Sequence, residues 1–200
     1  EFLPFAEENG LIIPITDWML EAVCYDIHIT RALKGQALPI AVNLSPQYLD
    51  RCNCPEKIKS VLERHVIPPE LLHAEITENI CIRNPVNVID QLNGLNAAGV
   101  SISIDDFGTG YSSLAYLHRF PVQTIKIDLS FVKEINDPAG DFPVVLAIIS
   151  IAQGLGMNLI AEGVETEAQE QYLQQWGCHI MQGYRYHKPM PLKQLLTLLA

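Results

Sequence analysis

Two hundred residues, 48% of them apolar, suffice for one large core, and a single α/β barrel commonly runs to roughly 200–250 residues. Thirteen basic against 23 acidic residues leave a net charge of −10, which excludes a DNA or RNA polymer held through its phosphates. A small phosphate ester stays accessible only where bound cations offset the repulsion. The longest apolar stretch, residues 142–152, falls well short of the roughly 20 residues of a membrane span, and the N-terminus has no signal-peptide pattern. Five cysteines without a C-x-x-C pair point to reduced thiols rather than a disulfide framework or a zinc ribbon. The expectation is one cytoplasmic domain over 1–200, with no membrane insertion by this segment, although a parent protein could be membrane-tethered.

Helical patterns come first, over 2–8 and 16–33, with the Asn9-Gly10 break between them. From there apolar, β-rich runs alternate with helical patterns, which favours parallel strands joined by helical crossovers. Strands are predicted at 39–44, 73–78, 100–105, 123–128, 158–162 and 179–183. The crossovers carry their own punctuation. Asn84-Pro85 offers an N-cap and a first-turn proline, Gly99 closes that helix, and Thr166 with Gln169 forms a capping box. Six strand–helix units predict a TIM-like (βα) barrel, which has eight strands when complete; either the sheet is open or two N-terminal strands lie outside this chain.

Alternate strand residues in a barrel face the lumen and the helix layer. Sorted by parity, Ile40, Val42 and Leu44 oppose Asn43, while Ile76 opposes Glu75 and Thr77. Ile102 and Ile104 oppose Ser101, Ser103 and Asp105; Ile125 and Ile127 oppose Lys126 and Asp128. Leu159 and Ala161 oppose Glu162, and Met181 opposes Gln182. Taken singly, each polar residue has a mundane explanation, since a carboxylate at a strand end often caps the next helix or meets solvent. Six strands doing the same thing are different. Burying unpaired charge costs several kcal/mol per ion, so convergent Glu, Asp and Lys imply mutual pairing and bound cations. Lys126, flanked by Ile125 and Ile127, should find an anion at the barrel mouth; the competing explanation is an exposed lysine on an edge strand. Adjacent Asp105 and Asp106 before the glycine turn Phe107-Gly108-Thr109-Gly110 suit divalent metal ions, against the plainer role of a helix-capping loop. No P-loop is present, because G-K-[ST] is missing.

These segments resemble the EAL family of cyclic-di-GMP phosphodiesterases, from Glu1 to about Pro191. The resemblance is carried by Glu1-Phe2-Leu3-Pro4, Val42-Asn43-Leu44-Ser45, Glu75-Ile76-Thr77-Glu78, Asp105-Asp106-Phe107-Gly108-Thr109-Gly110-Tyr111-Ser112-Ser113, Lys126-Ile127-Asp128, Ala161-Glu162-Gly163-Val164-Glu165-Thr166 and Gln182-Gly183-Tyr184. It implies that Asn43, Glu75, Asp105, Asp106 and Glu162 bind two Mg²⁺ or Mn²⁺ ions. Lys126 would orient the attacking water, and Glu162 would also serve as general base. Gln182 would bind substrate, while Glu78 and Glu165 would anchor loops, the glycine loop linking the site to a dimer interface. The implied reaction opens cyclic-di-GMP to linear pGpG in a homodimer, with GGDEF or sensory domains in the parent protein. The Glu-Ala-Leu segment that names the family, with its own metal-ligating Glu, does not occur in the chain and is expected upstream of Glu1. Gln123 and Leu129 stand where Asp and a basic residue are common. Two alternatives stay open: an inactive cyclic-di-GMP receptor, and an aldolase- or enolase-like barrel using Lys126 as a base or Schiff-base amine.

Overall fold

The computed structural model describes residues 2–35, 37–78, 80, 85–110 and 117–199. Six strands form one parallel sheet in sequential order: β1 (Ile40–Asn43), β2 (Leu72–Thr77), β3 (Ser101–Phe107), β4 (Thr124–Ile127), β5 (Asn158–Ala161) and β6 (Ile180–Met181). This is the strand sequence of a TIM-like barrel, and among the described residues β1 and β6 are its edges. All six predicted strands are present, each within a few residues of its expected limits. The last is the shortest, although Gln182 N–H still reaches the Ala161 carbonyl at 2.8 Å beyond its formal end.

The isoleucine-rich parity forms the outer face. Val42, Ala74, Ile76, Ile102, Ile104, Ile125, Ile127, Leu159 and Ala161 are all buried and belong to one hydrophobic cluster. Helices α1 (Leu3–Glu8), α2 (Ile12–Lys34), α3 (Pro46–Arg51), α4 (Cys54–His65), α5 (Pro85–Ala97), α6 (Leu129–Val132), α7 (Pro143–Gly154), α8 (Glu167–Gln175) and α9 (Leu192–Leu198), with a 3-10 turn at Pro69–Leu71, complete the described elements. Among the described residues no helix is long and apolar enough to cross a membrane.

Helix α2 starts four residues earlier than its sequence pattern suggested. Pro14 is the third residue of that helix, where backbone N–H groups have no intrahelical acceptor, so the missing donor is not felt. The Thr166–Gln169 capping box is formed in both directions. Gly99 follows α5 at φ +89°, a conformation that stops a helix at little cost to glycine. Pro85 opens α5, but Asn84, its expected N-cap, lies outside the described residues, as do Tyr111, Ser112 and Ser113.

Gln123 shows why an amide serves at the foot of β4. Its Oε1 accepts the Ile102 N–H at 2.7 Å while its Nε2 donates to Asn96 Oδ1 at 2.8 Å and the Pro121 carbonyl at 2.9 Å. An ionised carboxylate could accept the first of these but could not donate the other two.

The corner after β6 is packed tightly enough to fix Gln182. A Cβ built on Gly183 would lie 2.1 Å from the Val164 carbonyl oxygen, whereas one on Gly154, at the end of α7, meets nothing within 4 Å. Gly183→Ala should therefore lower stability by about 1–3 kcal/mol, as overpacking does. Gly154→Ala should leave stability unchanged or raise it by up to about 1 kcal/mol. Urea denaturation of the two variants, read for opposite signs, checks the close approach at Gly183.

Candidate active site

The lumen parity converges on Lys126. Lys126 is 4% exposed, and its ammonium sits 2.8 Å from Glu75 Oε1, 3.1 Å from Asp105 Oδ1 and 2.7 Å from Glu162 Oε1. These partners come from β2, β3 and the residue just past β5, so one cation ties four neighbouring strands. Burial alone would push the Lys126 pKa down, but hydrogen bonds to Glu162 and Glu75 and their charges outweigh it, and the pKa is raised. A Schiff-base amine needs the opposite shift, which removes the support for an aldolase-like role of Lys126. The edge-strand explanation for this lysine also falls, because β4 is paired on both sides.

Asp105 and Asp106 both belong to the site, which strict alternation forbids. The backbone resolves the conflict: Asp106 adopts φ +53°, and the β3–β4 register shifts between Ile104 and Phe107. Such a bulge re-aims one side chain and is common beside active sites. The left-handed conformation is one that aspartate tolerates better than most residues. Asp106 N–H donates to Asp105 Oδ1 at 3.1 Å, and the Thr109 hydroxyl donates to the Asp106 carbonyl at 2.8 Å, holding the turn.

Asp105, Asp106 and Glu162 each offer an oxygen within 4.8 Å of the others, a spacing that could hold a metal ion. All-oxygen donors of this kind suit Mg²⁺ or Mn²⁺. Burial, then repulsion from Asp105 and Asp128, raises the Asp106 pKa. Burial also raises that of Glu162, against the opposing hydrogen bond from Lys126. The residues thus fit a divalent cation: clustered carboxylates that resist ionising are what an added positive charge would relieve.

The remaining expected site residues surround this centre at different depths. Asn43 pairs in register with Glu75 and is exposed on the edge strand β1. Gln182 is exposed at the mouth, where it lines a cleft of about 590 Å³ together with Glu162, Gly163 and Tyr184. Glu78 is buried on the other parity; its Oε2 accepts the Gly108 N–H at 3.1 Å, and among the described residues its Oε1 has no hydrogen-bond partner. The Glu165 side chain is exposed and, among the described residues, unbonded. That corner is held instead by the Glu165 and Thr166 N–H groups, which donate to Gln169 Oε1 at 2.7 and 2.9 Å.

Asp128 was identified by parity but not as part of the site. It is buried, caps α6 through the Ser130 N–H at 2.8 Å, and lies near enough to the Asp106 carboxyl to help raise its pKa. The Asp-x-Ser spacing signals the cap, whereas the contact with Asp106 exists only because of the bulge.

A parallel βα sheet whose strand ends carry a lysine-bridged carboxylate cluster defines a class of barrel enzyme sites. The family model for the EAL domain matches residues 1–189, and the chain belongs to that family. It is 40% identical over its whole length to the bifunctional diguanylate cyclase/cyclic di-GMP phosphodiesterase MucR of Pseudomonas aeruginosa, covering 29% of that protein. It is 36% identical over 96% of its length to the cyclic di-GMP phosphodiesterase PdeR of Escherichia coli, covering 29% of it. The chain thus spans less than a third of the length of these curated relatives. Among solved structures, the MucR phosphodiesterase in complex with c-di-GMP superposes at TM-score 0.89 with 40% identity, over 97% of this chain and 84% of that one. The EAL domain of Mycobacterium smegmatis DcpA gives TM-score 0.88 and 36% identity, over 94% and 85%.

Asp106 is harder to ionise in the folded chain than in the unfolded one, so its charge weakens the fold near neutral pH. That cost vanishes as pH falls through its raised pKa. In the metal-free chain Asp106→Asn should therefore raise the thermal midpoint at neutral pH. The gain should fade on acidification toward the ordinary aspartate value of about 3.9. A gain unchanged at acid pH would contradict this electrostatic origin.

Proposed function

We propose that residues 1–200 form the EAL domain of a cyclic-di-GMP phosphodiesterase, which hydrolyses its substrate to linear pGpG with two Mg²⁺ or Mn²⁺ ions. The observation that carries this reading is the buried Lys126 held by Glu75, Asp105 and Glu162, with Asp106 within ion-sharing distance of the last two. The names of MucR, NbdA of P. aeruginosa and PdeR support the substrate.

Asn43, Glu75, Asp105, Asp106 and Glu162 would hold the ions. When bound, divalent cations make water a nucleophile near neutral pH and neutralise charge on the phosphodiester. Lys126, kept charged by its carboxylates, donates a hydrogen bond that orients the attacking water. Glu162, whose desolvation makes its carboxylate more basic than an exposed glutamate, accepts the proton of that water. Water adds to phosphorus in line with the departing 3′ oxygen. Gln182, at the mouth, contacts the substrate, and Glu78 fixes the glycine loop through Gly108. The domain works in the cytoplasm as a homodimer, beside GGDEF or sensory domains of its parent protein.

Assayed in its parent protein, the domain should convert cyclic-di-GMP to pGpG with Mg²⁺ or Mn²⁺. Chelation should abolish turnover, and re-adding either ion should restore it. Lys126→Ala and Glu162→Gln should each lower kcat by about 10²–10⁴-fold, the range of general acid–base contributions. Lys126→Ala also leaves buried carboxylates unpaired, so its fold is checked by circular dichroism. Chromatographic analysis of products decides: metal-dependent binding of cyclic-di-GMP without pGpG would assign the receptor role instead.

A further inference from the structure

The carboxylate centre cannot by itself account for a ligand with two phosphates. A cyclic dinucleotide carries them on opposite sides of its ring, so only one can sit at Asp105, Asp106 and Glu162. The other must leave that centre and meet either solvent or protein. Glu162 and Gln182 open directly into the cleft of about 590 Å³, within the roughly 300–1,000 Å³ typical of small-molecule sites.

Two cations line this same cleft, Lys133 and Lys188. Lys133 follows α6, four residues beyond Leu129, which also lines the cleft. Lys188 lies in the segment after β6, its ammonium 5.4 Å from the centre of the Tyr184 ring. Both are exposed, and among the described residues neither forms an ion pair, although the Glu165 carboxylate also faces the cleft. In a chain of net charge −10, Lys133 and Lys188 bring positive charge to a cleft that also holds Glu162 and Glu165, and so favour an anionic group beside them. The Leu129 side chain cannot provide a charge at its own position; Lys133, one helical turn later, provides one on the same stretch of wall.

The geometry points to Lys133 and Lys188 as the subsite for the distal phosphate of a cyclic dinucleotide whose other phosphate occupies the carboxylate centre. This rests on the phosphodiesterase reading and adds a selectivity element to it. Ligands with a single phosphodiester gain nothing from the pair, whereas a dianionic cyclic ligand gains two charge-assisted contacts. The exposed position keeps these contacts sensitive to salt.

Binding of cyclic-di-GMP and of linear GpG, which has one phosphodiester, is measured by calorimetry with Mg²⁺ on the Glu162→Gln background, where turnover is slow. Adding Lys133→Ala with Lys188→Ala should weaken cyclic-di-GMP binding about tenfold or more and GpG binding less than twofold. Lys133→Arg with Lys188→Arg should keep the wild-type preference. In the otherwise unaltered protein the double alanine change should raise KM for cyclic-di-GMP and leave kcat within about twofold. If the background binds cyclic-di-GMP but the alanine pair leaves its affinity unchanged, or weakens both ligands equally, the lysine assignment is overturned and the phosphodiesterase reading stands. If the unaltered protein neither binds nor cleaves cyclic-di-GMP, both fall together.

Discussion

The structure turns on one buried ammonium. Removing a lysine from water costs several kcal/mol, and Lys126 recovers this through three carboxylates supplied by neighbouring strands. The arrangement is not neutral, for Asp106 stands beside those three and, among the described residues, Lys126 is the one cation that serves them. The excess negative charge is concentrated at the C-terminal ends of the strands, where barrels place their chemistry. Structural pairing and readiness for divalent ions are thus the same feature. The lysine holds the carboxylates together, and their mutual repulsion leaves them short of positive charge.

The bulge at Asp106 is the second constraint. A regular β3 would send Asp106 into the helix layer, among apolar side chains that could not accept an ionised carboxylate. The left-handed backbone at this residue brings it to the same centre as Asp105, and the turn that follows is held by Asp106, Thr109 and Glu78. The glycine loop therefore begins on a metal-type carboxylate and is secured by a buried glutamate. Movement of this loop would alter the position of Asp106. Asp128, which contacts Asp106 and also caps α6, connects the same carboxylate to the helix leading to Lys133.

Charge also bears on how an acidic protein would accept the proposed anionic ligand. In that proposal cations are needed where the carboxylates cluster, while Lys133 and Lys188 carry positive charge in the adjoining cleft. Membership in the EAL family and the likeness to the MucR phosphodiesterase agree with a ligand of this kind. The family match covers nearly all of the chain, so the two cleft lysines lie within the family segment at its C-terminal part.

Much of this architecture was legible in the sequence because strand alternation has a period of two and isoleucine marks one parity. All six strands, the capping box at Thr166 and the placement of Glu75, Asp105, Lys126 and Glu162 on one face follow from local pattern. Helix α2 begins at Ile12 rather than at Thr16, its proline at position 14 sitting in the first turn, where it costs nothing. Only the tertiary structure decided which residues meet. Parity assigns a face but not a depth, so it could not distinguish buried Glu75 from exposed Asn43 beside it. It forbids Asp106 the face it occupies, since a bulge is set by cross-strand register rather than local sequence. The union of Lys133 with Lys188 in one cleft joins residues 55 positions apart in the chain, a proximity that no local pattern encodes.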